Sequence, residues 1–332
     1  MNIAVIGTGY VGLVTGTVLA HIGHTVNCID IDADKIAQLQ KGHSPIHETG
    51  LEELLQTNSI AGWLSFTTDY NSAFKQAEVI FIAVGTPQGI DGQADLAYLE
   101  QVAKDIAQFV DHDATVVIKS TVPPGTNDYI EKIIRNQLIH SIRINVVSNP
   151  EFLREGGAIH DAFHGDRIII GSKDNVAGDI VESLFSYLQL PVVRTDRRSA
   201  EMIKYAANAF LAVKISYINE IAALCDEIGA DVTAVVEGMG MDTRIGREFL
   251  NAGIGYGGSC FSKDTEAIAY LARKNSRRLS IVESAIITNR EQRFVFIDKI
   301  MKFFNGNVTG KKSLYLGLVL SPTQTICAKH LL

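Results

Sequence analysis

The sequence predicts an α/β fold: a Rossmann-like, doubly wound parallel sheet followed by an all-helical region. Short apolar runs alternate with helix-like stretches over residues 3–147, and strands that alternate with helices form parallel sheets. The apolar runs end in glycine-rich or polar loops, where sheets of this kind bind their ligands. Residues 199–228 contain no proline or glycine and carry a helical apolar pattern, which marks the change to the all-helical region.

Length and composition indicate a protein of two or three domains. The chain has 332 residues, of which 46% are hydrophobic and 20% are charged, enough for sizeable apolar cores. A net charge of −7 gives no reason to expect a nucleic acid or an anionic membrane as a partner. The four cysteines lack metal-ligand spacing, and neither a signal peptide nor a membrane span is recognisable. We therefore expect a cytoplasmic protein without a metal site.

The first predicted strand leads into a glycine-rich motif, Gly7-Thr-Gly-Tyr-Val-Gly12. A strand before it and a helix after it are the context in which these glycines permit a tight turn and close approach of a pyrophosphate. The N-terminus of the helix would stabilise the phosphate charge. Asp30 follows the second predicted strand and would accept hydrogen bonds from the adenosine ribose while repelling a 2′-phosphate, so NAD is expected rather than NADP. Asp32 is a competing candidate for the same role.

Later predicted strands are also followed by polar side chains. The predicted strands are residues 79–84, 115–118, 144–147, 168–170 and 191–193, with helices over residues 96–110 and 127–138. Hydroxyl or carboxyl groups follow the first three of these strands, at Thr86, Thr121, Glu151 and Glu155. Because the carboxyl ends of parallel strands share one edge of the sheet, we expect these groups to face one crevice. The alternative is that each is a polar loop residue on the surface.

The long predicted helix carries Lys204 and Asn208 four residues apart, hence on one face. Small residues surround them, and asparagine is unfavourable inside a helix without a partner. This favours a functional pair over a solvated lysine beside an asparagine. Further helical pattern extends to about Phe304.

A second glycine-rich stretch is Gly253-Ile-Gly-Tyr-Gly-Gly-Ser-Cys-Phe-Ser-Lys-Asp264. The helical pattern that follows places Cys260 at or near a helix N-terminus, where the helix dipole favours a thiolate. Lys263, one turn on, would favour the thiolate further. A loop that delivers such a thiol suits a nucleophile. The alternative is a glycine-rich turn whose cysteine is a small buried residue.

Together these stretches resemble the nucleotide-sugar dehydrogenases of the UDP-glucose/GDP-mannose dehydrogenase family. The resemblance extends from Met1 to about Leu318. It rests on both glycine-rich stretches and on Val84-Gly-Thr-Pro87, Ser120-Thr-Val-Pro123, Ser148-Asn-Pro-Glu-Phe-Leu-Arg-Glu155 and Ser199-Ala-Glu-Met-Ile-Lys-Tyr-Ala-Ala-Asn208.

The resemblance implies a four-electron oxidation of UDP-glucose to UDP-glucuronate with two NAD, in which Cys260 forms a thiohemiacetal and then a thioester. The alternatives are an NAD-binding remnant without turnover, or a dehydrogenase of another nucleotide sugar such as GDP-mannose. A homodimer formed through the helical region is also implied.

The same resemblance implies individual roles. Lys204 and Asn208 would stabilise an oxyanion at C6, Thr121 and Asp264 would hold a water molecule, and Glu151 would act as a base in thioester hydrolysis. The implied cofactor contacts are Gly7, Gly9, Tyr10, Val11, Gly12, Asp30, Lys35, Thr86, Thr121, Glu155 and Lys263. The implied substrate contacts are Glu151, Phe152, Leu153, Arg154, Glu155, Lys204, Asn208, Phe249, Leu250, Asn251, Ala252, Gly253 and Gly257, with Arg244 supplied by the partner subunit.

Three domains are implied: an NAD-binding domain over residues 1–196, a helical dimerisation domain over residues 197–305, and a truncated UDP-binding domain over residues 306–332. The tail from Leu320 departs from the family. Codons can be chosen for residues 320–332 such that one T added in front of them shifts the reading frame. The shifted frame then encodes Phe-Lys-Pro-Asn-Thr-Asp-Asp-Met-Arg-Glu-Ala-Pro-Ser, the segment that the family has at this place. Our hypothesis is that a single-base deletion shifted the frame there and impaired activity.

Overall fold

A computed structural model describes residues 1–89 and 91–307. The shifted tail from Leu320 and nearly all of the predicted truncated domain over residues 306–332 lie outside these residues. The strands are β1 (Asn2–Ile6), β2 (Thr25–Ile29), β3 (Leu64–Thr67), β4 (Val79–Ile82), β5 (Ala114–Ile118), β6 (Ile144–Ser148), β7 (Ile168–Ser172) and β8 (Val192–Thr195). The helices are α1 (Tyr10–His21), α2 (Ala33–Gln40), α3 (Leu51–Ile60), α4 (Tyr70–Phe74), α5 (Ala97–Phe109), α6 (Thr126–Gln137), α7 (Ala158–His164), α8 (Asn175–Leu184), α9 (Arg197–Ile228), α10 (Val232–Gly240), α11 (Gly258–Lys274) and α12 (Ser280–Phe303), with a 3₁₀ turn at Ser186–Leu188.

The eight strands form one sheet in the order β3-β2-β1-β4-β5-β6-β7-β8. The order runs outwards in two directions from the neighbouring strands β1 and β4, which is the topological switch point where a doubly wound sheet opens a crevice at its carboxyl edge. The predicted α/β fold class is confirmed. The predicted helices and strands are present, with boundaries shifted by a few residues.

The sheet is buried on both faces, which explains the nearly continuous apolar runs of its central strands. Successive side chains of β1 point to opposite faces. Val5 belongs to the apolar cluster on one face, whereas Ala4 and Ile6 belong to the cluster on the other. Two separate helical layers therefore cover the sheet.

The sheet differs from the prediction in one pair of strands. β7 is antiparallel to β6 and pairs with it only at Val147↔Ser172 and Ser148↔Gly171, so the sheet is mixed rather than wholly parallel. β8 then continues parallel to β7. The apolar composition of β7 does not encode its direction, because buried strands of either direction are apolar on both faces.

The sequence interpretation also missed β3. Its four residues alternate between buried and more exposed positions, as expected of a strand at the edge of a sheet. Among the described strands, only β2 pairs with it. Four residues are too few for a period of two to stand out from the surrounding chain.

The start of α9 packs directly on the sheet. A Cβ at Gly171 of β7 would lie 2.5 Å from Cβ of Ala200 and 2.9 Å from Cα of Arg197, so only glycine permits this approach. Side chains on the first turns of α9 then bond to the N-terminal end of α6. Glu201, which is 2% exposed, accepts hydrogen bonds from the N–H of Gly125 and from the N–H and side-chain amide of Asn127, over 2.5 to 2.7 Å.

Arg197 adds a buried ion pair at the same place. Its guanidinium lies 2.6 Å from Glu131 and 3.2 Å from Asp128, both on α6. These contacts determine the position and the rotation of the first turns of α9.

The chain divides into two compact units. The first comprises Met1–Pro87 and Asp95–Lys204, and the second comprises the described parts of Gln88–Ala94 and Tyr205–Leu316. The continuous helix α9 begins in the first unit and continues in the second. The domain limits expected from the sequence stay a prediction.

The second unit has small apolar clusters rather than a single large core. One contains Tyr205, Ala209, Ala267 and Ile268, and the other contains Ile218, Val236 and Leu250. No helix within residues 1–89 and 91–307 combines the length and the apolar character needed to cross a membrane.

Candidate active site

The glycine-rich turn after β1 has the geometry of a phosphate cradle. Gly7 has a φ of +95°, and a Cβ there would lie 2.7 Å from the carbonyl oxygen of Ala83; at Gly12 a Cβ would lie 1.8 Å from the carbonyl oxygen of Gly7. A Cβ at Gly9 would meet nothing within 4 Å, so open space adjoins the turn. Gly9 caps α1 without a side-chain hydrogen bond. The N–H groups at this helix end are suited to an anion such as a pyrophosphate.

Asp30 lies against this turn. Its Oδ2 accepts hydrogen bonds from the N–H (2.8 Å) and hydroxyl (2.7 Å) of Thr8 and from Nζ of Lys35 (3.1 Å). Burial raises the pKa of Asp30, but these hydrogen bonds outweigh burial and leave the pKa lower than usual. The carboxylate is therefore ionised at neutral pH, as ribose binding requires. Asp32 instead caps α2 by accepting from the N–H of Lys35, so the geometry favours Asp30 of the two candidates.

The loops that follow β4 and β5 are bonded to each other. The buried hydroxyl of Thr86 donates to the carbonyl of Thr121 over 2.8 Å, and the hydroxyl of Ser120 donates to the carbonyl of Val84 over 2.7 Å. Two of the four predicted crevice residues are thus in direct contact. Glu155 is half-buried and Val11 lies in the first turn of α1. Their assignments as cofactor contacts stay predictions.

Glu151, after β6, forms a buried ion pair with Lys204 of α9. Oε1 of Glu151 lies 3.0 Å from Nζ of Lys204, and each side chain is only 5% exposed. The other carboxylate oxygen accepts the N–H of Leu153 over 2.6 Å. Burial raises the pKa of Glu151, but Lys204, the Leu153 amide and Lys119 outweigh burial and leave the pKa lowered. Glu151 is therefore ionised at neutral pH.

Phe152 lies between two cations. Its ring centroid is 5.2 Å from Nζ of Lys204 and 3.8 Å from the guanidinium carbon of Arg167. Arg154 points outward and pairs with Asp161 over 2.6 Å. Leu153 packs on the first apolar cluster.

Two buried residues of this region were missed in the sequence interpretation. One is Lys119, whose ammonium donates to Oδ1 of Asn149 over 3.0 Å. Burial lowers the pKa of Lys119 to about 8. A lysine directly after a mostly apolar strand is unusual, and that was the available signal in the sequence.

The other missed residue is Glu48, which is 6% exposed. Its carboxylate accepts the N–H groups of Gly156 and Ala158, each over 2.9 Å, and the hydroxyl of Tyr10. Burial together with Glu48 raises the pKa of Tyr10 well above its ordinary value. Glu48 thus ties the glycine-rich turn to the loop after β6. These partners lie 38 to 110 residues away in sequence, so no local pattern indicates them.

Cys260 is the third residue of α11, which begins at Gly258. The predicted position near a helix N-terminus is confirmed. Cys260 itself is half-buried. Cys28 and Cys225 are buried.

One turn after Cys260, Asp264 is 1% exposed and held by two donors. Its oxygens accept the side-chain amide of Asn208 and the ammonium of Lys263, each over 2.6 Å. Asn208 therefore has the partner that its place inside a helix requires. Because Lys263 pairs with Asp264, part of its charge is neutralised, and its predicted effect on a Cys260 thiolate stays untested.

The loop before α11 contains exposed, half-buried and buried residues. Leu250 is buried in the second unit's smaller cluster. Phe249 adopts a φ of 62°, in the left-handed region. Asn251, Ala252 and Gly253 are exposed and Gly257 is half-buried. The Arg244 side chain is 87% exposed and pairs with Asp242, so the structure does not bring it to the other predicted substrate contacts.

A Rossmann-like sheet with this glycine turn and a carboxylate after β2 defines a dinucleotide-dependent dehydrogenase. Comparison with known proteins agrees. The model of the NAD-binding domain of the UDP-glucose/GDP-mannose dehydrogenase family matches residues 1–189, and that of the family's central domain matches residues 198–291. The chain belongs to the UDP-glucose/GDP-mannose dehydrogenase family, and its cofactor is NAD.

Several relatives are similar over nearly the whole chain. UDP-glucose 6-dehydrogenase YwqF of Bacillus subtilis is 55% identical over 322 residues, which cover 97% of this chain and 73% of the relative. UDP-glucose 6-dehydrogenase of Rhizobium meliloti is 46% identical over 97% of this chain and 75% of its own length. A UDP-glucose dehydrogenase structure from Pyrobaculum islandicum matches with a TM-score of 0.89 at 36% identity, covering 91% of this chain and 71% of that one.

Substitution of Lys204 tests the buried ion pair. We expect Lys204→Met to lower the free energy of unfolding by about 3 kcal/mol, because it leaves a buried carboxylate without its nearest cation. The double variant Lys204→Met/Glu151→Gln should recover part of that loss, since the buried carboxylate charge is then removed as well. Urea unfolding of the parent and both variants measures the difference.

The effect of Lys204→Met should depend on pH in a defined direction. The folded-state pKa of Glu151 is lowered, so the ion pair stabilises fully above the ordinary carboxyl pKa and is lost as the pH falls through the folded-state value. The stability difference between parent and variant should therefore shrink in acid. A double variant no more stable than the single one would contradict this account.

Proposed function

We propose that this chain oxidises the C6 hydroxymethyl group of UDP-glucose to a carboxylate through a covalent intermediate on Cys260. The observation that carries the proposal is the start of α11. Cys260 lies in its first turn, and one turn later the buried carboxylate of Asp264 accepts hydrogen bonds from Asn208 and Lys263. Support for the substrate comes from the relatives named above, which are UDP-glucose 6-dehydrogenases.

The reaction removes four electrons in two steps. NAD held by the Gly7–Gly12 turn and Asp30 would supply the hydride acceptor in each step, one NAD for each hydride. The first oxidation converts the alcohol to an aldehyde and releases the hydroxyl proton. The sulfur of Cys260 then adds to the aldehyde carbon, and loss of hydride from this thiohemiacetal leaves a thioester. Water cleaves the C–S bond, which yields the carboxylate and restores the thiol.

Cys260 has the position that such an addition needs. The dipole of α11 favours the thiolate over the thiol at a residue in the first helical turn. A thiolate is the nucleophilic form of cysteine and needs no separate base at the moment of attack. The half-buried setting of Cys260 limits competing reactions with solvent.

Lys204 and Asn208 supply donors for the oxygen at C6. They lie one helical turn apart on α9, so both project from the same side of that helix. The ammonium of Lys204 has three N–H groups, and Glu151 accepts one of them. A remaining N–H can stabilise the developing oxyanion.

Glu151 is suited to act as the base in thioester hydrolysis. Its pKa is lowered by Lys204, so the carboxylate is ready to accept a proton from water at neutral pH. Asp264, held by Asn208 and Lys263, can accept a hydrogen bond from a water molecule. The role of Thr121 at such a water stays a prediction.

A second candidate substrate is GDP-mannose. The structure of a GDP-mannose dehydrogenase from Pseudomonas aeruginosa matches with a TM-score of 0.72 at 34% identity, covering 92% of this chain and 71% of that one. Assays with both nucleotide sugars therefore belong in any test of the proposal.

We also propose that the functional protein is a homodimer formed by the helical unit. Large apolar side chains of α9 and α12 are exposed, among them Phe210 (65%), Ile228 (68%), Phe294 (61%) and Phe303 (80%), more than a solvated surface usually carries. The Arg244 side chain is 87% exposed, and we propose that it contacts a second copy of the chain. Sedimentation velocity should show a dimer, and a monomer at micromolar concentration would contradict the proposal.

Replacement of the thiol tests the covalent step. Cys260→Ser should lower the rate of UDP-glucuronate formation by at least about 10³-fold, because a hydroxyl is a far weaker nucleophile at neutral pH. NAD affinity should stay within about twofold, since the cofactor cradle is unchanged. The measurement is acid formation by chromatography beside NAD titration. Cys225→Ser, the same change at a buried cysteine of α9, is the matched control and should keep turnover.

Full turnover by Cys260→Ser would contradict the covalent mechanism. NAD binding by the parent without NADH formation from UDP-glucose would contradict the enzymatic proposal itself, and preference for GDP-mannose would contradict the proposed substrate.

A further inference from the structure

The glycine-rich loop before Cys260 is held by three side-chain amides. Asn289 of α12 accepts the N–H of Tyr256 over 2.7 Å and donates to the carbonyl of the same residue over 3.0 Å. Gln292 donates to the carbonyl of Gly253 over 2.7 Å, and Asn219 of α9 accepts the N–H of Gly253 over 2.7 Å. We call Asn219, Asn289 and Gln292 the amide clamp. It bonds both backbone groups of two loop residues.

The loop depends on such a clamp because it has no regular structure of its own. Residues 251–257 form neither helix nor strand, so their backbone groups have no ladder to pair with. An unpaired backbone group away from water costs as much as a lost hydrogen bond. A side-chain amide supplies both a donor and an acceptor, so one residue satisfies both groups of Tyr256.

Close approach of the clamp explains one glycine of the loop. Gly255 has a φ of +107°, and a Cβ there would lie 2.5 Å from Oδ1 of Asn289. Any other residue would be strained at this φ and would have to displace the side chain of Asn289. The glycine therefore serves contact with Asn289, in addition to any role in ligand binding.

A chain of aromatic contacts links the clamp to the thiol. The ring of Tyr256 meets the ring of Phe261 edge-on, with centroids 6.0 Å apart, and Phe249 meets Phe261 at 6.2 Å. Phe261 directly follows Cys260 in the first turn of α11. A shift of the Tyr256 backbone therefore moves the Tyr256 ring, which packs against Phe261, the residue that follows Cys260.

We propose that Asn289, assisted by Gln292 and Asn219, is a positioning residue that holds Cys260 in its reactive place by fixing the backbone of Tyr256. The inference rests on the proposed role of Cys260 as the nucleophile. Asn289 touches the loop and not the reacting atoms. A displacement of about 1 Å at a reacting group can cost about 10²-fold in rate, so a clamp of this kind contributes to kcat.

The principal test is Asn289→Asp. Aspartate keeps an acceptor for the Tyr256 N–H but places a carboxylate oxygen against the Tyr256 carbonyl, where the amide had donated. The matched control is Asn275→Asp at the end of α11, where an exposed amide donates to the carbonyl of Leu271 over 2.8 Å. Both variants replace an asparagine amide by a carboxylate, and both positions lie in the second unit.

We expect Asn289→Asp to lower kcat by at least about 30-fold while KM for NAD stays within about twofold. Alkylation of Cys260 by iodoacetamide, followed by mass spectrometry of its peptide, should slow by at least about fivefold, because a displaced thiol loses the stabilisation of the helix end. This second measurement needs no turnover. Asn275→Asp should match the parent in both.

Two results would overturn the inference. One is an Asn289→Asp variant equal to Asn275→Asp in kcat and in alkylation rate. The other comes from a second variant, Gln292→Met, which serves if Asn289→Asp proves globally unstable. Gln292→Met removes only the donor to the Gly253 carbonyl and should still lower kcat and slow alkylation. Unchanged values for this variant would refute the clamp. Cys260→Ser separates the two proposals, because turnover by that variant refutes the nucleophile whatever Asn289 does.

Discussion

The buried ion pair between Glu151 and Lys204 is the interaction on which the candidate active site depends. Two charges that are each 5% exposed pay a large desolvation penalty, which their attraction offsets only if the geometry is held closely. Flexible surface side chains could not meet that condition. The pair therefore demands that the loop after β6 and the start of α9 be fixed against each other.

The fold meets this demand around the first turns of α9. Gly171 lets the helix lie directly on β7, and Glu201, one turn before Lys204, bonds to the end of α6. On the other side, Glu48 and the Leu153 N–H hold the loop that carries Glu151. Within the second unit, the side-chain amide of Asn208 bonds to the buried Asp264.

The sequence predicts those features of the fold and the site that depend on residues close together in the chain. The glycine-rich turn, the helix start before Cys260 and the long α9 are local patterns, and the structure contains all three. The direction of β7, the role of Glu48 and the amide clamp depend on partners far away in sequence, for example 110 residues between Glu48 and Ala158. Residue types alone do not identify such partners. The sequence also did not indicate the partner of Lys263, although that partner is the adjacent residue. Its ammonium bonds to Asp264, a contact that depends on side-chain geometry.

If carbon C6 becomes bonded to the sulfur of Cys260, the peptide that contains Cys260 gains the mass of the oxidised sugar nucleotide. The variant Glu151→Gln, incubated with UDP-glucose and NAD and quenched in acid, should accumulate a thioester because the proposed base for hydrolysis is missing. Mass spectrometry should show a UDP-hexuronyl adduct on the Cys260 peptide, formed together with two NADH per adduct and absent from the double variant Glu151→Gln/Cys260→Ser. NADH release from the Glu151→Gln variant without any adduct, or an adduct on another residue, would contradict the covalent role of Cys260.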